Sequence, residues 1–273
     1  MTRLQIGALD VAVVPDGMLL LDPARTFGRV DEADWRPLVE LDEQGYVHAG
    51  VNCVLVRTGD RKILLDTGTG RELAVGRGQA CGRVLDSLAS LGVTPEEIDT
   101  VVVSHAHWDH AGGVSVPAAE GYTPTFPKAT YWFWRGEWEY WTDPALADRP
   151  EFLSNVLPPL AERQQVELAD TELEVAPGVR LIAAPGHTPG HLCVALTSGN
   201  EMAVYTGDMF HHAAQIEHPE WSPLFDVLPE LSVETRRRVF DEARRQSSIL
   251  LTAHLPTPGV ARLPAAGGIE LLS

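Results

Sequence analysis

The segment Val103-Ser104-His105-Ala106-His107-Trp108-Asp109-His110 constrains this chain more than any other, because it sets four metal-ligand side chains within six residues directly after an apolar run. Three imidazoles and a carboxylate crowded at a strand end would repel and desolvate one another unless a cation sat among them. In a loop leaving a strand, residues two apart can point to the same side. His105 and His107 can therefore share one metal while Asp109 and His110 turn toward a second. Each site then needs ligands from elsewhere. The chain offers His187 in Pro185-Gly186-His187-Thr188-Pro189-Gly190-His191, Asp208 after Val204-Tyr205-Thr206-Gly207, and His254 after Ile249-Leu250-Leu251. Each follows an apolar β-like run, and a rigid strand end is the scaffold that metal geometry demands.

Other short apolar runs read as buried strands: Asn52–Val56, Lys62–Leu65, Thr100–Val103, Arg180–Ala183 and Leu192–Leu196. Between them, Gly82–Leu91 reads as a helix with Val84, Leu85, Leu88 and Leu91 on one face. Val233–Arg245 reads as a basic amphipathic helix beginning after Ser232. Thr94-Pro95-Glu96-Glu97 has the form of a capping box, with proline at the first helical position. The class is mixed α/β. Leu64-Leu65-Asp66-Thr67-Gly68 and Val204-Tyr205-Thr206-Gly207-Asp208 both end an apolar strand in an aspartate- and glycine-containing turn, a hint of internal duplication. No linker or low-complexity stretch divides the chain, so one domain over 1–273 is expected, with an elaboration around 20–50 that could cover the site or join two subunits.

The formal charge of -17 disfavours nucleic acid and anionic membrane surfaces as partners. The three cysteines, Cys53, Cys81 and Cys193, match neither a disulfide framework nor a thiolate zinc site, and read as small hydrophobes in a reducing compartment. With no secretion-signal pattern and no apolar run of membrane-spanning length, a cytoplasmic protein is expected.

The ligand pattern resembles the metallo-β-lactamase superfamily, whose members carry a His-x-His-x-Asp-His loop, a later Gly-His, a bridging Asp and a final His. The strand end Leu65-Asp66-Thr67-Gly68 resembles that family as well. The resemblance implies a four-layer αββα sandwich holding two divalent ions, zinc by preference, with iron, manganese or cobalt compatible with the same donors. It places His105, His107 and His187 on the first metal and Asp109, His110 and His254 on the second. Asp208 would bridge the two, and Asp66 would be the carboxylate that orients a ligand imidazole. The bridging Asp208 sets the chain apart from the antibiotic-degrading branch. Leu181–His191 and Gly207-Asp208-Met209-Phe210-His211 are closest to the branch of quorum-signal lactonases and methyl-parathion-type hydrolases. The implied reaction is attack by water activated between the metals on a lactone, ester or organophosphate, with Asp109 and Asp208 as catalytic carboxylates. A glyoxalase-like thioesterase ranks lower, because few lysines or arginines lie near the motifs. A diiron redox protein would normally need a flavin partner domain.

For substrate contacts the candidates are Trp108, inside the metal loop, and Trp132 and Trp134, within a run from Tyr131 to Trp141 that holds seven of the nineteen aromatic residues. That run is either a core or homodimer contact or a substrate-facing wall. His191, His211 and His212 lie close in sequence to ligands and could support them or touch a small-molecule substrate. His48 and His218 read as surface or structural residues.

Overall fold

The computed structural model describes residues 2–146 and 149–272. Two seven-stranded sheets run in chain order. The first comprises Arg3–Ile6, Leu9–Leu21, Val47–Thr58, Arg61–Leu65, Thr100–Val102, Thr130–Trp134 and Val166–Ala169. The second comprises Glu174–Ala176, Val179–Ala183, Leu192–Ser198, Glu201–Tyr205, Ile249–Leu251, Val260–Arg262 and Glu270–Leu272. Each begins with four antiparallel strands and then turns parallel, at Arg61–Leu65 beside Thr100–Val102 in one and at Glu201–Tyr205 beside Ile249–Leu251 in the other. A parallel pairing needs a crossover. Helices Val84–Ser90 and Pro229–Gln246 lie on these two crossovers. The turn residue after each fourth strand makes the same bond: Asp66 N–H donates to Val102 O (2.8 Å) and Thr206 N–H to Leu251 O (3.0 Å). The first five strands of each half thus share one topology, as their matching strand ends suggest, and the halves then diverge: the last two strands pair parallel in the first sheet and antiparallel in the second.

Alternation along the strands builds the layers. Val11, Val13, Val54, Val56 and Ile63 face Val179, Leu181, Val194 and Leu196 between the sheets. Their neighbours Ala12, Val14, Leu55 and Leu64 pack outward against Val84 and Leu88, while Cys193, Val204 and Leu250 pack against Val239, Phe240 and Ala243 of the long helix. The result is a helix–sheet–sheet–helix sandwich. Its strands are apolar on both faces, which is why they read as continuous hydrophobic runs. Cys53 and Cys193 are buried free thiols. Among the described residues, no helix is long and apolar enough to cross a membrane.

Two helix readings need correction. In Val84–Ser90 the buried residues are Val84, Ser87 and Leu88, whereas Leu85 is 41% exposed. One residue is a 100° step, which carries Leu85 to the flank of the stripe. The long helix starts at Pro229, a turn earlier than expected, and Ser232 is buried inside it. Ser232 abuts Gly186, where a Cβ would meet the Ser232 Cα at 2.3 Å and where φ is +141°. Proline, whose missing N–H costs nothing at a helix start, opens the helix instead.

Buried Asp16 fixes the first crossover. Its carboxylate accepts the backbone N–H groups of Thr69 (2.9 Å), Gly82 (3.0 Å), Arg83 (2.6 Å) and Val84 (2.9 Å). Asp16→Ala strands these donors without a partner and is expected to cost about 3 kcal/mol of unfolding free energy, read from the denaturant midpoint at unchanged slope.

Candidate metal centre

The parallel strands Arg61–Leu65, Thr100–Val102, Glu201–Tyr205 and Ile249–Leu251 deliver their carboxyl ends to one rim, the position where open α/β sheets place their sites. Asp66, the His105–His110 loop, Asp208 and His254 all follow these ends, and His187 follows Val179–Ala183. His107 precedes the short helix Trp108–Ala111, which turns Asp109 and His110 away from His105 and His107. Gly207 allows the close approach just before Asp208, since a Cβ there would meet His191 Nε2 at 2.6 Å.

All seven residues of the expected ligand set converge. Donor atoms of His105, His107, His187 and Asp208 lie within 4.8 Å of one another, and those of Asp109, His110 and His254 form a second such group. Asp208 stands between them. Its Oδ2 is 3.2 Å from His187 Nε2 and 3.6 Å from His105 Nε2, while its Oδ1 is 2.8 Å from His110 Nε2 and 2.9 Å from His254 Nε2. Asp109 Oδ2 lies 3.7 Å from His110 Nε2 and 3.6 Å from His254 Nε2.

These groups fit cations better than they fit each other. The buried atoms His105 Nε2 and Asp208 Oδ1 have no hydrogen-bond partner, although Oδ1 has two ring nitrogens within 3 Å. His110 Nε2 faces His254 Nε2 at 3.4 Å, nitrogen against nitrogen. Orphaned polar atoms in a buried cluster are costly, and a divalent ion would satisfy several at once. Burial holds the imidazoles of His105 and His107 well below their ordinary range, which favours the neutral rings that a cation needs. At His110 and His254 the Asp208 carboxylate outweighs burial and raises the pKa. At His187, Asp208 and Asp226 together do so, to about 9.

The surrounding groups aim the ligands. Asp66 sits at φ 59°, a left-handed conformation that costs a side chain roughly 1–2 kcal/mol. Its carboxylate is tied down by Ser104 N–H (2.6 Å), Ser104 Oγ–H (2.7 Å), Tyr205 O–H (2.7 Å) and the His110 Nδ1 side (2.7 Å). That leaves His110 Nε2 facing the cluster. Gly50 O takes the same part for His254 Nδ1 (2.8 Å). His191 accepts the Asp208 N–H at Nε2 (3.0 Å) and contacts Ala184 O through Nδ1 (3.0 Å), steadying the turn that carries Asp208.

Three supporting groups escaped the sequence reading. Asp226 Oδ1 meets His187 Nδ1 at 2.8 Å, and nothing near it in the chain announces this. Arg236, fully buried, donates from Nε to Met209 O (2.6 Å) and lies 3.6 Å from Asp226, so one guanidinium braces the Asp208 turn and the His187 partner. A signal for it existed: Arg236 falls in the Val239, Phe240, Ala243 stripe of its helix. Glu137, also fully buried, accepts Ala106 N–H (2.7 Å), Trp141 Nε1–H (2.7 Å), Thr188 O–H (2.6 Å) and Gly190 N–H (3.1 Å), clasping the two histidine loops together. Asp226→Asn is expected to weaken metal binding about 10–100-fold, measured by competition with a chromogenic chelator.

Two cavities open on the centre. One of about 410 Å³ is lined by Arg25, Arg77, Trp108 and Phe225 together with His107 and Asp109; the other, of about 520 Å³, by Leu41, Val47, His48 and His212. Both share Tyr46, His211 and His254. His211 Nε2 lies 3.0 Å from Asp208 Oδ2, inside the centre itself, whereas His212 accepts Ala214 N–H and packs edge-on to Phe27. Trp108 lines the first cavity as expected. Trp132 and Trp134 do not flank it: period-two alternation turns both onto the inter-sheet core, with Tyr131 and Phe133 on the opposite face. From that run Trp141 lies 5.7 Å from the His107 ring, beside Glu137. Leu21, Asp22, Thr26 and Tyr46 line the first cavity and Glu40, Leu41 and Val47 the second, while Phe27, Trp35, Val39 and Val47 pack on Ala214 and Trp221.

A family model described as the metallo-beta-lactamase superfamily matches residues 48–254. The N-acyl homoserine lactonase AiiA of Bacillus thuringiensis subsp. kurstaki is 26% identical over 219 residues, covering 74% of this chain and 80% of that protein. Among solved structures, the hydrolase AbOPH of the beta-lactamase superfamily superposes with a TM-score of 0.85 at 26% identity, covering 98% of this chain and 95% of the other. AidC, a dizinc quorum-quenching lactonase in complex with a product, does so with a TM-score of 0.83 at 26% identity, covering 99% and 96%.

Proposed function

The chain belongs to the metallo-β-lactamase superfamily, and from that premise we propose that it is a two-metal hydrolase of lactones or related esters, phosphotriesters included. The observation that carries this reading is the placement of Asp208, whose two carboxylate oxygens face opposite histidine pairs. His105, His107 and His187 would hold one divalent ion, Asp109, His110 and His254 the other, and Asp208 both, with zinc the expected occupant. Lactones lead the substrate classes because AiiA and AidC are described as lactonases. In this reading the chain is one domain, and residues 20–50 close its substrate cavities.

Two divalent ions in such a site supply Lewis acidity and bring the pKa of a water molecule near neutrality. The chain's own residues do the rest. Asp109, buried at the cavity floor, is placed to take the proton of the attacking water and hand it to the leaving oxygen. His211 lines the same cavity and, with Nε2 3.0 Å from Asp208 Oδ2, would steady that carboxylate. Trp108, Tyr46 and Phe225 line the cavity, where a bound substrate packed on them would displace water and strengthen these polar contacts.

Metal analysis coupled to a panel of lactones, aryl esters, phosphotriesters and a thioester tests the proposal. Two metals per chain with turnover of a lactone or ester is the expected result. Bound iron with oxygen consumption and no hydrolysis would overturn it.

A further inference from the structure

Arg25 and Arg77 stand far from the histidine motifs in the chain, yet the fold brings both into the cavity that holds His107, Asp109, Asp208 and His254. The Arg77 guanidinium lies 4.5 Å from the centroid of the Trp108 ring, and Trp108 is the residue between His107 and Asp109. Stacked on that ring, a guanidinium keeps its N–H edges free for an oxyanion. Arg25 comes from the short helix Pro23–Thr26 of the covering segment. Among the described residues, neither guanidinium makes an ion pair or a side-chain hydrogen bond, although Arg71, Arg135 and Arg180 pair with Asp86, Asp170 and Glu172. Asp22, the carboxylate that lines this cavity outside the metal-ligand group, is engaged as the cap of its helix, accepting Ala24 N–H at 2.8 Å.

Two unpartnered guanidiniums offset most of the charge of the three lining carboxylates, Asp22, Asp109 and Asp208, in a chain that carries -17 overall, and the two ions of the hydrolase reading would make the cavity cationic. The second cavity differs in character, with Leu41, Val47, Leu255 and Pro256 on its walls. We propose that Arg25 and Arg77 form an anion subsite, so that the ester or lactone cleaved here carries a carboxylate on the arm lying in the first cavity and an apolar arm in the second. The inference rests on the hydrolase reading above and narrows its substrate class.

The test compares two compounds alike except that one arm ends in a carboxylate or a methyl group, on whichever scaffold of the panel turns over. For aryl esters these are para-nitrophenyl hydrogen glutarate and para-nitrophenyl pentanoate. The carboxylate compound is expected to show a kcat/KM at least about tenfold higher, and the double substitution R25Q, R77Q to shrink that ratio at least about tenfold. A ratio of one or less in the unmodified chain, or a ratio that the double substitution leaves unmoved, overturns the subsite while the hydrolase reading stands. No turnover of any panel compound by the two-metal protein overturns both.

Discussion

Asp208→Ala is expected to leave at most one metal ion per chain and to lower kcat/KM on the best panel substrate about 10³-fold or more. The reason lies in what the carboxylate separates. Its oxygens stand between His105 and His187 on one side and His110 and His254 on the other. Without it two bound ions would lose the shared anion that screens their mutual repulsion, and the second group would keep only Asp109 as a charged donor. Asp208→Asn retains one oxygen of the right shape without the charge and should fall between the two. The backbone contact from Asp208 N–H to His191 Nε2 survives either substitution, so the turn has reason to persist. Far-ultraviolet dichroism and a denaturation midpoint establish that it does. Elemental analysis beside the kinetics then decides: two metals and undiminished turnover in the alanine variant would refute the bridging role.

The convergence of the seven candidate ligand residues could be read from the chain because each follows an apolar strand, and parallel strands deliver their carboxyl ends to one rim. The same logic failed where a side chain's direction depends on a partner the chain does not show. Trp132 and Trp134 look like a binding wall by density, but the pairing of Thr130–Trp134 between two parallel strands turns them into the core between the sheets. Asp226 is one acid among many until the fold sets it 2.8 Å from His187. Arg25 and Arg77 belong to segments that flank the rim, and sequence distance from the motifs made the cavity look poorer in cations than it is. Arg236 is the instructive miss. A basic residue on the buried stripe of a helix implies a buried group that its charge offsets, here Asp226.

Exhaustive chelation is expected to abolish hydrolysis and to lower unfolding free energy by about 4 kcal/mol for each site previously held at a thousandfold excess of metal over its dissociation constant. The loss should also depend on pH in a particular direction. In the metal-free protein the imidazole of His187 is held up at about 9 by Asp208 and Asp226 against the effect of burial. A pKa raised on folding contributes stability that is complete below the unfolded value near 6.5, and that contribution disappears as pH climbs through about 9. Metal binding runs the other way, because a ligand imidazole must give up its proton and acid therefore competes with the cation. His110 and His254, raised by the same carboxylate, add to both trends. The gap between loaded and chelated protein should thus be narrow at pH 6 and wide at pH 9, read from denaturation midpoints of the two forms at each pH. A chelated chain that keeps its midpoint and its turnover at both values would mean that these side chains converge for some other reason than to hold metal.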